Sequence, residues 1–217
     1  MKRMLAVVLV ALLGATPAFA DGNGKRMYDV TITNITSGQT FTPLLVVSHR
    51  RNISLFELGE PASEGLATIA ESGNIDPLRN ALDDLDNKVL DTATNGGLLG
   101  PGESVTVRIA GNSRFDRVSV AGMLIPTNDT FVALDSAYLS RRTRTHTVPA
   151  YDAGSEHNDE LCANIPGPVC MGAGPSEEDG EGYVHISSGI HGIGDLEAAA
   201  YDWRNPVAKI SVRQARR

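Results

Sequence analysis

The chain has no surplus of positive charge. Nineteen Lys and Arg stand against 26 Asp and Glu, a formal net charge of −7, so it carries no electrostatic footprint for nucleic acid. No apolar run has the length of a membrane span. No internal repeat is visible. A Gly-x-Ser-x-Gly elbow is also missing, and no other motif supplies a nucleophile with its base, so the chain is read as not an enzyme. Only two cysteines occur, Cys162 and Cys170. No His or further Cys lies near them at metal-ligand spacing, which makes a cysteine metal site the poorer reading.

The first twenty residues read as a secretory leader. Lys2 and Arg3 are its basic start, Leu5 to Leu13 its apolar core, and Ala18-Phe19-Ala20 its small-x-small cleavage site. No Cys follows that point to take a lipid anchor. The expected mature protein is one domain over residues 21–217, secreted or periplasmic, with a sizeable core. In that oxidising setting Cys162 and Cys170 are expected to form a disulfide across the Gly/Pro-rich segment between them.

Strand signals dominate what remains. Tyr28 to Ile35 alternates polar and β-branched residues, and Ser104 to Ile109 and Thr143 to Val148 alternate too, while Arg117 to Ile125 and Phe131 to Leu134 read as strands on either side of the Asp129 turn. Phe41 to Val47, Tyr183 to Ile186 and Val207 to Val212 read as further strands, and Ser54 to Glu57 as a short one. Pro43 keeps the start of its strand off a central ladder. Between Ala62 and Leu85 the apolar spacing becomes helical, with Ser63 as a cap, Gly73-Asn74 as a stop and Pro77 at the start of a second helix. Residues 153–182 are an acidic, Gly/Pro-rich loop. The sum is an antiparallel β-sandwich with a short helical insertion.

One stretch organises the chemistry. Met123 to Ser136 runs from apolar strand through Pro126-Thr127-Asn128-Asp129 and back into apolar strand. Carboxylates at such a hairpin end must face water or be neutralised, because unpaired burial costs several kcal/mol. Tyr151-Asp152-Ala153-Gly154 echoes it. Oxygen donors gathered from several loops suit a hard cation such as calcium, which takes about 6–8 of them. The competing reading is that Asp and Asn are simply turn residues.

Pro126 to Ser136 followed by Pro149 to Gly154 resembles the spondin N-terminal domain. Ser54 to Ser63, Ala70 to Gly73, Tyr183 to Asp195 and Asp202 to Ile210 resemble its bacterial branch. The resemblance implies a calcium-binding sandwich similar to C2 domains, with roles in adhesion and recognition. Its calcium ligands carry over to Asp129 and Asp152, and to Glu103 as the acidic residue opening a preceding hairpin. It therefore implies a secreted module that binds calcium and, through it, an unidentified extracellular protein, glycan or lipid. The alternatives are a structural protein whose calcium only stabilises the fold, or a hydrolase using calcium or the loop of His185 and His191.

Other features have plainer readings. His185 and His191 lack the spacing of a helical zinc site and are read as structural. Asp135 is read as a local hydrogen-bond acceptor. Arg141, Arg142 and Arg144 are read as charges protecting a strand edge. The acidic run Glu177-Glu178-Asp179-Gly180-Glu181 is read as solvated, with a weak second cation as the alternative.

Overall fold

The computed structural model describes residues 24–175 and 180–216. The expected leader, and Glu177, Glu178 and Asp179 of the acidic run, lie outside these residues. Among the described residues no helix is long and apolar enough to cross a membrane.

Among the described residues eleven strands form two antiparallel sheets. In chain order they are β1 (Arg26–Asn34), β2 (Thr40–Phe41), β3 (Leu45–His49), β4 (Val89–Thr94), β5 (Ser104–Gly111) and β6 (Arg117–Ile125), then β7 (Thr130–Tyr138), β8 (Arg144–Val148), β9 (Ala150–Asp152), β10 (His185–Ile186) and β11 (Ala208–Gln214). The smaller sheet has the order β5-β1-β11-β8, and the larger β10-β9-β7-β6-β3-β4, with β2 paired to β6. Most of the expected strands are present. The segment around Pro43 splits into β2 and β3, because proline cannot donate to a ladder. Ser54 to Glu57 is not a strand: Ser54 Oγ and Leu55 N instead donate to the Asp135 carboxylate at 2.6 and 2.9 Å. The polar β4, at the edge of the larger sheet, carried no strand signal.

The helices α1 (Glu64–Ser72) and α2 (Asp76–Asp83) lie where the sequence places them. Ser63 caps α1 by accepting from Leu66 N, and Gly73 ends it in the left-handed region at φ 70°. A Cβ at Gly73 would also meet Thr42 at 2.6 Å, so the turn and its packing both require glycine. A third short helix, α3 (Ala198–Tyr201), lies outside the expected insertion.

The larger sheet is buried on both faces. Val118, Val120 and Leu124 of β6 and Val132 and Leu134 of β7 point into the core between the sheets. Ala121, Phe131 and Ala133, one residue out of phase, face a second core under Leu66, Ile69, Leu78 and Leu82 of α1 and α2. Side chains alternate along a strand, so two covered faces explain why β6 and β7 read as nearly continuous apolar runs.

His49, Ser119 and Asp135 form a polar network in these layers. The Ser119 hydroxyl lies 2.8 Å from His49 Nε2 and 3.0 Å from Asp135 Oδ1, while His49 Nδ1 lies 2.8 Å from the Arg50 carbonyl. The carboxylate meets the serine rather than the imidazole, and His49 and Ser119 are fully buried. This is not the order of a Ser-His-Asp relay. Burial lowers the His49 pKa, helped by Arg117 and opposed by the Arg50 carbonyl, Asp135 and Asp116. The fold therefore favours the neutral imidazole, whereas the unfolded chain takes up a proton near pH 6.5. Stability rises with pH where the unfolded state binds more protons, so this contribution is lost as pH falls below that value. Thermal melts between pH 7.5 and 5 are expected to show the loss, and His49→Gln to flatten it. An equal slope in the variant would mean that His49 takes up its proton alike in the folded and unfolded chain.

Candidate metal centre

The site is built where the chain changes sheets. Strand β8 ends at Val148 beside Ala208 of the smaller sheet. After Pro149 the chain continues as β9, paired to β7 in the larger one. That crossing places Asp152 opposite Thr130, and His185 of β10 opposite Asp152. Asp129, immediately before β7, accepts from Ala153 N through its backbone carbonyl at 3.1 Å. Sheet register therefore fixes Asp129, Asp152 and His185 side by side.

The loop after β9 wraps the Asp129 carboxylate. Ser155 N and Glu156 N donate to Asp129 Oδ2 at 2.8 and 3.1 Å, and Ser155 Oγ lies 3.4 Å from it. Gly154 N donates to Asp152 Oδ1 at 2.9 Å and Asn158 Nδ2 to Asp152 Oδ2 at 3.0 Å. The wrap depends on Gly154, at φ +63°, where a Cβ would meet the Tyr183 carbonyl oxygen at 2.3 Å. Asn128, the other turn residue, donates to Asp159 Oδ1 at 3.0 Å and accepts from Glu160 N at 3.2 Å.

Asp129, Asp152 and Glu156 are all buried. Among the described residues Asp129 Oδ1 has no hydrogen-bond partner. Burial, and next the charge of Asp152, push the Asp129 pKa up to about 7, with Glu156 adding to the effect against the two backbone N–H donors. Burial also raises Asp152. The charges of Asp152 and Glu156 both bear on the buried Asp129, whose Oδ1 is left without a donor among the described residues. Their oxygen-only donors and net charge have the chemistry of a hard-cation site.

The sequence expectation is met unevenly in space. Asp129 and Asp152 are brought together. Glu103 is held elsewhere: its Oε2 accepts from Gly100 N at 2.9 Å across the turn before β5, and its carbonyl accepts from Asn34 N. It shares no hydrogen bond with either Asp among the described residues. Glu156 is the carboxylate that sequence reasoning passed over. Its signal was the Asp-Ala-Gly-Ser-Glu spacing, in which the Gly154 turn folds position 156 back toward Asp129. Asp135 lies in the His49 and Ser119 network instead.

Two clamps hold the neighbouring loops. The buried Glu160, at φ 56°, accepts N–H bonds from His191, Gly192 and Ile193 at 2.5–2.9 Å. The Gly-rich loop thus closes around a carboxylate of the chain itself, a nest filled from within. Cys162 and Cys170 form the expected disulfide, with Cα atoms 4.7 Å apart.

The family of spondin N-terminal domains (Spondin_N) matches residues 31–159, more than half of the chain. The chain belongs to the spondin N-terminal domain family. The matched span runs from β1 through Asp129, Asp152 and Glu156, and ends before the disulfide loop, β10 and β11. It supports an extracellular domain type of function in a family not known for enzymes. No curated protein matches the chain.

The carboxylate cluster has a consequence for the metal-free protein. A raised pKa for Asp129 means that its contribution to stability is complete below pH 3.8 and is lost as pH rises toward about 7. In chelator at pH 8, Asp129→Asn removes the buried charge while its amide oxygen can still accept from Ser155 and Glu156. It is expected to melt about 3 °C or more above wild type, with the gap shrinking at pH 5. A lower melting temperature at both pH values would contradict this account.

Proposed function

We propose that this spondin domain is an extracytoplasmic binding module organised by one calcium ion, held by Asp129, Asp152 and Glu156. The observation that carries the reading is the burial of all three carboxylates, with Asp129 Oδ1 lacking a hydrogen-bond partner among the described residues. Buried charges are ordinarily paired or bound to metal. Backbone carbonyls and water would supply the remaining oxygens of calcium's usual 6–8. Glu103 has no share in this set, because its carboxylate serves its own turn.

The ion would neutralise the cluster and fasten the loop 153–156 to the ends of β7 and β9. Loops beyond it carry exposed apolar side chains, among them Met171 at 80% and Ile193 at 67% exposure, with Leu161 and Val169 less so. Rigid loops bearing apolar side chains suit calcium-dependent recognition of a protein, glycan or lipid on a cell surface. Of these, a protein or lipid partner makes more use of the apolar groups than a glycan.

Calorimetry on chelator-treated protein tests the metal. Wild type is expected to bind calcium saturably near one equivalent. Asp129→Ala and Asp152→Ala should abolish binding and Glu156→Gln weaken it at least about tenfold, the scale of one lost charged ligand contact. Glu103→Gln should bind as wild type. Absence of binding in wild type, or equal binding in the Asp variants, would sink the proposal.

A further inference from the structure

We propose that Asp152, Glu181 and His185 form a second cation site, selective for a borderline divalent transition metal such as zinc. One ligand atom from each of these residues lies within 4.8 Å of the others. His185 Nε2 is 3.4 Å from Asp152 Oδ1 and 3.6 Å from Glu181 Oε2.

Three observations favour a metal over an acidic surface patch. The first is the imidazole's orientation. His185 Nδ1 lies 3.0 Å from the carbonyl oxygen of Ile186, so it carries the proton and donates. In the neutral ring Nε2 then presents its lone pair on the side of the two carboxylates. Metal-bound histidines ordinarily hold their second ring nitrogen in this way.

The second is that Nε2 is shielded from solvent and meets both carboxylates only at long range, 3.4 and 3.6 Å. A charge-assisted N–H···O bond closes to about 2.7–2.9 Å, and neither carboxylate comes that near. Ligand atoms around a tetrahedral zinc ion, each about 2.0–2.1 Å from the metal, stand about 3.3 Å apart. The spacing here is close to that edge.

The third is rigidity with access. Asp152 and His185 are register partners in β9 and β10. Gly182, beside Glu181, is tied down by its N–H to the Gly154 carbonyl at 2.7 Å. A cavity of about 120 Å³, lined by Asp152, Glu181, His185, Asn158 and Thr127, leaves room for a water as fourth ligand. Imidazole beside carboxylate suits zinc and its neighbours, whereas oxygen-only sets suit calcium. Glu181 and His185 also lie outside the segment that matches the spondin family. The site shares Asp152 with the proposed calcium centre but does not require calcium to be bound there.

Cobalt(II), with its visible absorption, reports on such a site. The purified protein, saturated with calcium, is expected to take up about one equivalent of cobalt and to release it to zinc. His185→Gln and Glu181→Gln should each weaken cobalt binding at least about tenfold, with calcium calorimetry and circular dichroism as in wild type. Asp129→Asn should lose calcium yet keep cobalt, which separates failure of this site from failure of the calcium reading. Absence of a cobalt band in wild type would overturn the proposal and leave His185 as an imidazolium paired with two carboxylates. Cobalt affinity unchanged in both variants would overturn it equally, as would loss of cobalt on adding calcium.

Discussion

Two buried carboxylates set the terms for one end of this molecule. Asp129 and Asp152 are brought side by side by the pairing of β7 with β9, and both are buried. Their mutual repulsion and desolvation oppose the fold unless donors or a cation answer them. The chain supplies donors to three of their four oxygens, from the loop that follows Asp152. Much of the surrounding design follows from that need. Gly154 lets the loop turn back, Asn158 reaches across it, and the crossing at Pro149 delivers Asp152 to the larger sheet.

The same strategy recurs one loop further out, with a different resolution. Glu160 is also buried, but three consecutive backbone N–H groups satisfy it. Hydrogen bonds to a charged group contribute about 1.5–3 kcal/mol each, so this clamp fixes the Gly-rich loop without a metal. Asp135, too, is answered by Ser54, Leu55 and Ser119. The contrast between these satisfied carboxylates and the Asp129 cluster is what singles out the latter as a site.

The sandwich was largely legible because its strands obey local rules. Alternation marked β1, β5 and β8, and cap chemistry marked α1 and α2 to within a residue or two. The strand expected at Ser54 to Glu57 failed because a long-range acceptor, Asp135, took the donors of Ser54 and Leu55. β4 escaped notice because it is a polar edge whose membership depends on β3. Asp129 and Asp152 could be named from the turns that hold them. Glu103 was equally acidic and equally close to a turn, yet it answers its own Gly100.

The sequence by itself determined the composition of the layers, the helix caps, the cysteine pair and the spondin character of residues 31–159. Each of these is encoded in neighbouring residues or in a pattern along the chain. Which carboxylates meet was decided only in the tertiary structure. Asp129, Asp152, Glu156, Glu181 and His185 come from three separate stretches, and their convergence depends on strand register and on the chain switching sheets after Pro149. Burial and charge coupling are properties of that convergence, and no single segment contains them.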